Sequence, residues 1–432
     1  MTIANDIQCD ACGVVYHLKT QVDQTIEHMD WSITVECAEC GNKMEFRLSK
    51  KDGFSKLVNG RWQPVGERDT EKLRMSSGYL FGYSQTLPIV PSGFHKKVPM
   101  GIGSFSPYIQ FTMESGISQE KIAECNQKNA WITANIIPDK DLIPSLFSLL
   151  SHKPFNGVAF ISKCVNILEI KKEVMEVPTD FEYCLDFFDE FIQTVYKNLV
   201  TGRHPSVSQN DFYHRAYKWL VSQEPKALKT DFEEMKNLFF LDEYLMNVYG
   251  QISSTLKILD KLMQGIFRSE MQSLGVSSIS VRMHITTIGH KELLNVYKEH
   301  YEMISKGLIF IAALRNKLEG RSAEDFGDGN PSNNFKRFAS LSNGKRIELM
   351  NQTASFSDFF TDVLNTHWRN ANEHADVEYD SVTQLCKFRY DSTQSEKFEE
   401  VLLIDIAKAV YRQLVFLIEI SKLIKVAKSK TI

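Results

Sequence analysis

The sequence lacks a strong excess of charge of either sign. It has 50 Lys and Arg against 54 Asp and Glu in 432 residues, which gives a formal net charge of −4 at pH 7. A protein that binds nucleic acid over a large part of its surface is usually far more basic, although a local basic face can be hidden in a neutral total. The composition therefore excludes a broadly basic protein but not a confined nucleic-acid site.

Long apolar runs are also missing. No stretch approaches the roughly 20 apolar residues that cross a bilayer. The N-terminal residues lack a basic start followed by an apolar run, so we predict no signal peptide. We therefore expect a soluble, cytoplasmic protein with no membrane partner. A chain of 432 residues exceeds what one hydrophobic core usually serves, and two or three domains are expected.

Two common ligand-binding signatures are absent. The sequence has no GxxxxGK[ST] loop that would surround a phosphate group, and Gly101 and Gly103 lack the remainder of a dinucleotide fingerprint. It also has no internal repeat other than a pair of CxxC motifs. Nothing in the sequence therefore favours a P-loop or a dinucleotide-dependent enzyme.

The two CxxC motifs lie near the N-terminus and use four of the eight cysteines. Cys9 and Cys12 form one pair, Cys37 and Cys40 form the other, and a glycine follows each pair. Two intervening residues let both thiolates of a pair reach one tetrahedral ion, and the glycine permits the tight turn. A thioredoxin-like motif would need only one pair, and a catalytic zinc would keep an open coordination position. We predict a structural Zn²⁺ in a zinc ribbon.

Composition and periodicity divide the chain into three regions. Residues 1–50 carry short strand-like runs beside the cysteines and are predicted to form the zinc ribbon. Residues 51–229 begin rich in Gly, Pro and Ser and become helical near 181, which predicts a mixed α/β middle region for recognition or regulation. Residues 230–432 predict a helical bundle with a β-hairpin insertion near 377–390. The fold is expected to be α-rich and multidomain, with helices at about 211–223, 230–273, 290–319, 333–370 and 398–428.

A second motif precedes the predicted hairpin. Arg369 and Asn370 are followed by His374 at the end of an apolar helical run. An Arg and a His about one and a half turns apart can project toward one pocket. A histidine can move a proton at an attacking 2′-hydroxyl or a leaving 5′-oxygen of RNA, and an arginine can hold the phosphate. Asn370 would form a hydrogen bond to the backbone or to His374 and so select the tautomer of the imidazole. This RNA cleavage reaction requires no metal.

This motif and the long final helix resemble the HEPN superfamily, whose nuclease members carry an Arg-x4-6-His motif in an all-helical domain. The resemblance covers about residues 230–428, and only the six-residue motif is specific. It implies that Arg369 and His374 are catalytic, that Asn370 supports them, and that a homodimer pairs two such sets in one cleft. Many members are toxins or abortive-infection effectors in phage defence. The resemblance therefore implies an RNA substrate such as tRNA and an inhibitor or phage-derived trigger.

Other interpretations remain open from the sequence. Arg-Asn is also common at helix C-termini, because Asn accepts a left-handed backbone and Arg complements the helix dipole. His374 would then only form a hydrogen bond to the hairpin. In this interpretation the protein is a binding protein: its helical half dimerises, and its first half binds nucleic acid or a protein. The resemblance implies a third possibility, a regulatory subunit paired with a nucleotidyltransferase, as some HEPN proteins are. In each case we expect the zinc to lie apart from the Arg369–His374 segment.

The last predicted helix carries a row of three lysines. Lys422, Lys425 and Lys428 recur every three residues along one side. Such a row either contacts phosphates, each adding salt-dependent affinity, or is a solvated face near a helix C-terminus.

Overall fold

The computed structural model describes residues 2–21, 30–37, 39–49, 53–63, 73–78, 116–137, 140–167, 178–200, 211–224, 229, 241–275, 285–323, 335–351, 363–381, 383–389 and 397–431. Helices make up most of these residues, and three small sheets contain the strands, so the expected α-rich character is confirmed. No helix of the described residues is both long and apolar enough to cross a membrane.

The described strands and helices are numbered in chain order. The strands are β1 (Thr2–Cys9), β2 (Val15–Gln21), β3 (Asp30–Glu36), β4 (Lys43–Ser49), β5 (Gly53–Phe54), β6 (Gly60–Gln63), β7 (Leu73–Gly78), β8 (Val377–Asp380), β9 (Leu385–Arg389) and β10 (Phe398–Leu402). The helices are α1 (Gln119–Asn135), α2 (Leu142–Ser151), α3 (Gly157–Ile167), α4 (Phe181–Val200), α5 (Asp211–Ser222), α6 (Leu241–Leu256), α7 (Leu259–Ser273), α8 (His290–Leu318), α9 (Phe335–Ser340), α10 (Asn343–Asn351), α11 (Thr366–Glu373) and α12 (Leu403–Thr431).

The chain forms two compact units, each assembled from three separate stretches. Unit 1 consists of Met1–Pro138, Leu259–Tyr297 and His367–Tyr411, and unit 2 consists of Asp139–Ile258, Lys298–Thr366 and Arg412–Ile432. All of the described sheets belong to unit 1, and the described part of unit 2 is helical. The predicted domain boundaries after residues 50 and 229 divide the chain into consecutive stretches, whereas the two units are defined by which residues are in contact. Those boundaries stay a prediction.

The sheets of unit 1 have the strand orders β6-β1-β2-β7, β3-β4-β5 and β10-β9-β8. In the second sheet Ile33 lies opposite Phe46 and Val35 opposite Met44, and all four side chains are buried. Their alternation along each strand puts the apolar residues on one face, as a half-buried strand requires. At the edge of this sheet the amide of Thr34 donates to a carbonyl oxygen at residue 286 over 2.6 Å, which ties β3 to the segment before α8.

Several predicted elements are confirmed. The predicted helices at 211–223 and 290–319 are α5 and α8, and the predicted hairpin is formed by β8 and β9, with Tyr379 opposite Cys386. The predicted onset of helix near residue 181 is also correct. Asp180 accepts a hydrogen bond from the amide of Tyr183 over 2.9 Å and thereby caps α4.

Three predicted helices are wrong in extent. The helix predicted at 398–428 begins only at Leu403, because residues 398–402 pair with β9 as strand β10. A run of Phe-Glu-Glu-Val-Leu suits helical and strand periodicity about equally, and only the neighbouring strand decides between them. The helix predicted at 230–273 is interrupted by a turn at 257–258, and the one at 333–370 is divided into α9, α10 and α11 in its described part. The apolar run at 356–360 lies outside the described residues.

The three lysines of α12 each pair with an aspartate of unit 2. Lys422 lies 3.2 Å from Asp189 and Lys428 lies 2.5 Å from Asp242, while Lys425 pairs with Asp186. The lysine side chains are only 13–18% exposed. Their charges are therefore balanced within the protein, which favours a structural role over phosphate contact.

Candidate functional site

The first cysteine pair lies in the turn between β1 and β2. Cys9 ends β1, and Cys12 follows in the turn. Gly13 has a φ of +80°, and its amide donates to the carbonyl oxygen of Cys9 over 2.9 Å. A side chain at this position would be strained, because an L-residue rarely adopts a left-handed backbone. The glycine therefore permits the turn that points both thiols to one side.

The second pair repeats this arrangement between β3 and β4. Cys37 directly follows β3, and Cys40 lies in the turn. Gly41 has a φ of +69°, and its amide donates to the carbonyl oxygen of Cys37 over 2.8 Å. Two hairpins of matching geometry thus present two thiols each, as the ribbon prediction requires.

The four thiols form one cluster. All four Sγ atoms lie within 4.8 Å of one another, with 3.6 Å between Cys9 and Cys40 and 3.4 Å between Cys12 and Cys37. A tetrahedral site with metal–sulfur bonds of about 2.3 Å places its sulfur atoms about 3.8 Å apart. The cluster fits that geometry and could hold one metal ion such as zinc.

The pKa values of two thiols in the cluster shift in opposite directions from the ordinary value. Burial by itself raises the pKa of Cys9, but hydrogen bonds from Asn42 and from two backbone amides outweigh it and bring the pKa to about 6. At Cys12 the amide of Val14 lowers the pKa, but burial and the three neighbouring thiols outweigh that effect and raise it to about 12. Thiols this close cannot all ionise unless a cation balances their charge.

Two side chains around the cluster donate hydrogen bonds to sulfur. The Tyr16 hydroxyl donates to Cys37 Sγ over 3.2 Å, and Asn42 Nδ2 donates to Cys9 Sγ over 3.3 Å. Tyr16 is fully buried, and the Asn42 amide also donates to the carbonyl oxygen of Asn59 over 2.9 Å. Such partners orient thiolates and stabilise their charge. No local spacing marked either residue in the sequence.

The second cysteine turn is connected to distant parts of unit 1. Glu36 accepts a hydrogen bond from His290 Nδ1 over 2.9 Å, and the His290 ring stacks on Tyr379 with centroids 4.2 Å apart. Burial by itself raises the pKa of Glu36, but the hydrogen bond from His290 leads the effects that outweigh it, so the pKa lies below its ordinary value. Ser381 Oγ also donates to the carbonyl oxygen of Cys37 over 3.3 Å.

The predicted Arg-Asn-x-x-x-His element lies on α11 and the residue after it. One side of this helix is fixed in unit 1. Trp368 is buried between Tyr297 and Phe388, with ring centroids 5.5 and 5.7 Å away, and Ala371 is 1% exposed. Asn372 Nδ2 donates to the carbonyl oxygen of Leu294 in α8 over 3.1 Å. These contacts orient the whole helix.

The other side of α11 carries the predicted functional residues. Asn370 and His374 are exposed, and Arg369 is half-buried. Arg369 Nη1 donates to Asn370 Oδ1 over 3.1 Å. In the part of the chain that the structure describes, the His374 imidazole makes no hydrogen bond, including none to the hairpin. The ring is therefore accessible to a ligand.

The end of α11 bears on the capping interpretation of Arg-Asn. The left-handed residue is Ala375, with a φ of 58°, rather than Asn370. The amide of Asp376 donates to the carbonyl oxygen of Ala371 over 2.8 Å, and that of Ala375 donates to the carbonyl oxygen of Asn372 over 3.4 Å. This is a Schellman ending, which satisfies carbonyl groups of the last turn. Asn370 is thus not the capping residue.

The cysteine site and the Arg369–His374 segment belong to the same compact unit. A shared unit does not fix the distance between them, so the expectation that the zinc lies apart from this segment stays a prediction. Both are in unit 1, and Cys37 is hydrogen-bonded to Ser381, just beyond strand β8 that follows α11. The sequence order of the two motifs hid this, because strands and helices from three stretches assemble into one unit. Comparisons of the chain with protein-family models, curated proteins and solved structures found no match.

Proposed function

We propose that this chain is a metal-independent RNA endonuclease of the HEPN type. One observation carries the proposal: Arg369 is hydrogen-bonded to Asn370, and Asn370 and His374 are exposed, while the inner side of α11 is fixed in the core. A phosphate-binding cation and an accessible imidazole on one rigid helix are what RNA transesterification needs. The Arg-Asn-x-x-x-His spacing and its position before a hairpin agree with the family resemblance.

In this reaction the RNA 2′-hydroxyl attacks the adjacent phosphorus, and the bond from phosphorus to the 5′-oxygen breaks. The products are a 2′,3′-cyclic phosphate and a 5′-hydroxyl. His374 would accept the proton of the 2′-hydroxyl or donate one to the 5′-oxygen, and Arg369 would bind the charge that grows on the phosphate. Asn370 would hold the Arg369 guanidinium through its existing hydrogen bond.

A homodimer would complete this site. One neutral imidazole can accept the first proton, but a second, protonated group must supply the proton of the leaving group. Two His374 side chains from two copies would divide these tasks, and two Arg369 side chains would share the phosphate. We propose that two α11 helices face each other in this way.

We further propose that the four cysteines hold Zn²⁺ and that this ion is structural. Four thiolates fill a tetrahedral coordination shell and leave no open position for substrate or water. Thiolate ligands in this geometry favour zinc over magnesium, calcium or manganese. The ion would therefore stabilise unit 1 and take no part in the cleavage step.

The direct test is RNA cleavage by the purified, zinc-loaded chain in buffer without magnesium. Labelled RNAs that include tRNA are separated on denaturing gels, and new ends are identified by whether they accept a 5′-phosphate directly. We expect Arg369→Ala and His374→Ala to lower the cleavage rate about 100-fold or more, in line with losses of an acid–base or phosphate-binding group. Asn370→Ala should cause a smaller loss.

The matched controls are His214→Ala and Arg215→Ala, two exposed residues on helix α5. They remove the same side-chain types elsewhere and should leave cleavage unchanged. Equal activity of wild type, Arg369→Ala and His374→Ala would refute the nuclease assignment. Wild-type protein that binds these RNAs without cutting them would instead identify a binding module.

The cellular role proposed with this activity is defence against phage. Unrestrained RNA cleavage would poison the host, so the activity must await an inhibitor's release or a phage-derived trigger. Bacteria expressing the wild type should stop growing and lose intact RNA after infection, while bacteria expressing His374→Ala should not. Identical growth and RNA integrity in the two cultures would count against a defence role.

A further inference from the structure

The turn that carries Cys37 is bonded to two other elements of unit 1. The Cys37 carbonyl oxygen accepts a hydrogen bond from Ser381, which directly follows β8. The preceding residue, Glu36, accepts from the ring of His290, the first residue of α8, and its side chain is only 10% exposed. The His290 ring in turn lies flat on Tyr379 of β8, with an interplanar angle of 18°. One cysteine turn therefore contacts the start of α8 and the end of β8.

The same two elements hold α11 in place. Near the start of α8, the Leu294 carbonyl oxygen accepts a hydrogen bond from Asn372 of α11. At its other end α11 continues through the Schellman turn into β8, where the amide of Asp376 returns to Ala371. The contacts thus form a closed loop from the cysteine turn to α8, to α11, to β8 and back to the cysteine turn.

We propose that metal bound by the four cysteines positions the Arg369–His374 helix through this loop of contacts. Without a metal no bond joins the turn at Cys37 to the turn at Cys9 and Cys12, and the turn at Cys37 loses that constraint. The Glu36 and Ser381 contacts on that turn are then lost, and α11 is held less firmly, by the contacts of Trp368 and Asn372 alone among those described above. The proposal rests on the proposed nuclease for its functional meaning, but the mechanical coupling exists independently of any reaction.

Hydrogen exchange of the full-length chain tests the coupling without RNA. Amide exchange is compared before and after zinc removal by a chelator, and again after zinc is restored. We expect exchange at 289–294 and 366–381 to rise about fivefold or more, as the loss of one or two hydrogen bonds predicts. Helix α1 in unit 1 and helix α6 in unit 2 should stay protected, and restored zinc should reverse the change.

A double variant separates the coupling from the metal site itself. His290→Ala with Ser381→Ala removes both side-chain links and leaves every cysteine intact. From the Glu36 contact it retains the long hydrogen bond from the His290 amide, at 3.5 Å. It should keep its zinc, exchange at 366–381 as fast as the metal-free wild type, and show no further increase on zinc removal. The matched control combines His214→Ala with Thr383→Ala, because the Thr383 hydroxyl bonds Asp380 within its own turn over 2.7 Å. The control should respond to chelation as the wild type does.

Three results would overturn the proposal. They are unchanged exchange at 366–381 after zinc removal, a uniform increase that includes α1, and a double variant that still responds to chelation. Cleavage is measured separately on the same proteins. An exchange response without RNA cleavage would support the coupling while refuting the nuclease. Cleavage at full rate together with unchanged exchange after zinc removal would overturn the coupling while leaving the nuclease proposal intact.

Discussion

Ala375 adopts a left-handed backbone, with a φ of 58°, where most helices that end in this way have glycine. The left-handed conformation costs an L-residue roughly 1–2 kcal/mol. Glycine relieves that cost, but its greater conformational freedom in the unfolded chain lowers the free energy of unfolding by about 0.4–1 kcal/mol. We therefore expect Ala375→Gly to raise the free energy of unfolding by about 0.5–1 kcal/mol, measured by chemical denaturation.

The control for this substitution is Ala371→Gly, one turn earlier in α11. Ala371 is buried in the helix interior, so glycine there should lower the free energy of unfolding by about 1 kcal/mol. If both variants lower the free energy of unfolding equally, the left-handed conformation of Ala375 does not determine the effect of glycine at that position.

Glu419 is a buried carboxyl group in unit 2. It is 1% exposed, and the Tyr196 hydroxyl donates to its Oε1 over 2.9 Å. Among the described residues its Oε2 has no hydrogen-bond partner, while the nearby Lys422 pairs with Asp189. Burial raises the pKa of Glu419 to about 8, although the Tyr196 hydrogen bond favours the charged form. The group is therefore mostly protonated at neutral pH.

This elevated pKa predicts a pH dependence of stability. The folded protein keeps the Glu419 proton up to about pH 8, whereas the unfolded chain releases it near its ordinary pKa of about 4.3. Between these values each unit of rising pH lowers the free energy of unfolding by on the order of 1 kcal/mol. Glu419→Gln lacks this dependence, so its melting temperature should rise relative to wild type between pH 6 and pH 8.

The comparison variant is Glu182→Gln, whose side chain is exposed on α4. Its melting temperature should follow that of the wild type at both pH values. A Glu419→Gln variant that loses stability in parallel with the wild type would show that Glu419 is ionised in the folded protein.

At the scale of elements, α7 and the start of α12 approach closely at a glycine. A Cβ atom at Gly265 would lie 2.7 Å from the backbone carbon and the Cβ of Ala407. Arg268 and Asp405 pair across the same two helices over 3.0 Å and set their register. Gly265→Ala should therefore lower the free energy of unfolding by about 1–3 kcal/mol, despite the better helix propensity of alanine.

Denaturation of Gly265→Ala is best compared with Gly250→Ala in helix α6. Among the described residues, a new Cβ there would meet the ring of Phe147 alone, at 3.2 Å. A side-chain ring can shift by a few tenths of an ångström more readily than a backbone, so the loss should be smaller. If Gly250→Ala lowers the free energy of unfolding more than Gly265→Ala does, the close approach of α7 and α12 is not the reason that glycine is needed at Gly265.

At the scale of elements the sequence predicted some features well and others poorly. The starts of α4 and α8 follow from a capping aspartate and from sustained helical periodicity, which are local signals. The CxxC hairpins follow from ligand spacing for the same reason. Strand β10 and the short helix α11 could not be located, because five- to eight-residue segments suit more than one structure until a partner strand or core is present.

At the scale of the whole molecule, the metal prediction concerns how many ions the chain binds. The purified protein should contain about one zinc ion per chain, as one tetrahedral site of four thiolates requires. Cys12→Ser should bring the zinc content close to zero and lower the melting temperature, because the binding energy of a structural metal is also folding energy. Elemental analysis and thermal denaturation measure the two effects.

The control is Cys184→Ser, since Cys184 is buried in unit 2 and is not a member of the four-cysteine cluster. This variant should keep its zinc, whatever it loses in stability. Full zinc content in Cys12→Ser would contradict the four-cysteine site. Zinc lost equally from both variants would mean that metal retention reports general stability instead.

The sequence by itself determined the four thiols of the cluster and the order of most helices, because both depend on spacing over a few residues. It also singled out Arg369, Asn370 and His374. Only the tertiary structure decided what surrounds them. Glu36 and His290 are 254 residues apart in sequence, and Cys37 and Ser381 are 344 apart, yet each pair is hydrogen-bonded. Common residue types at such separations carry no local pattern, and they meet only when three stretches of chain assemble into one unit.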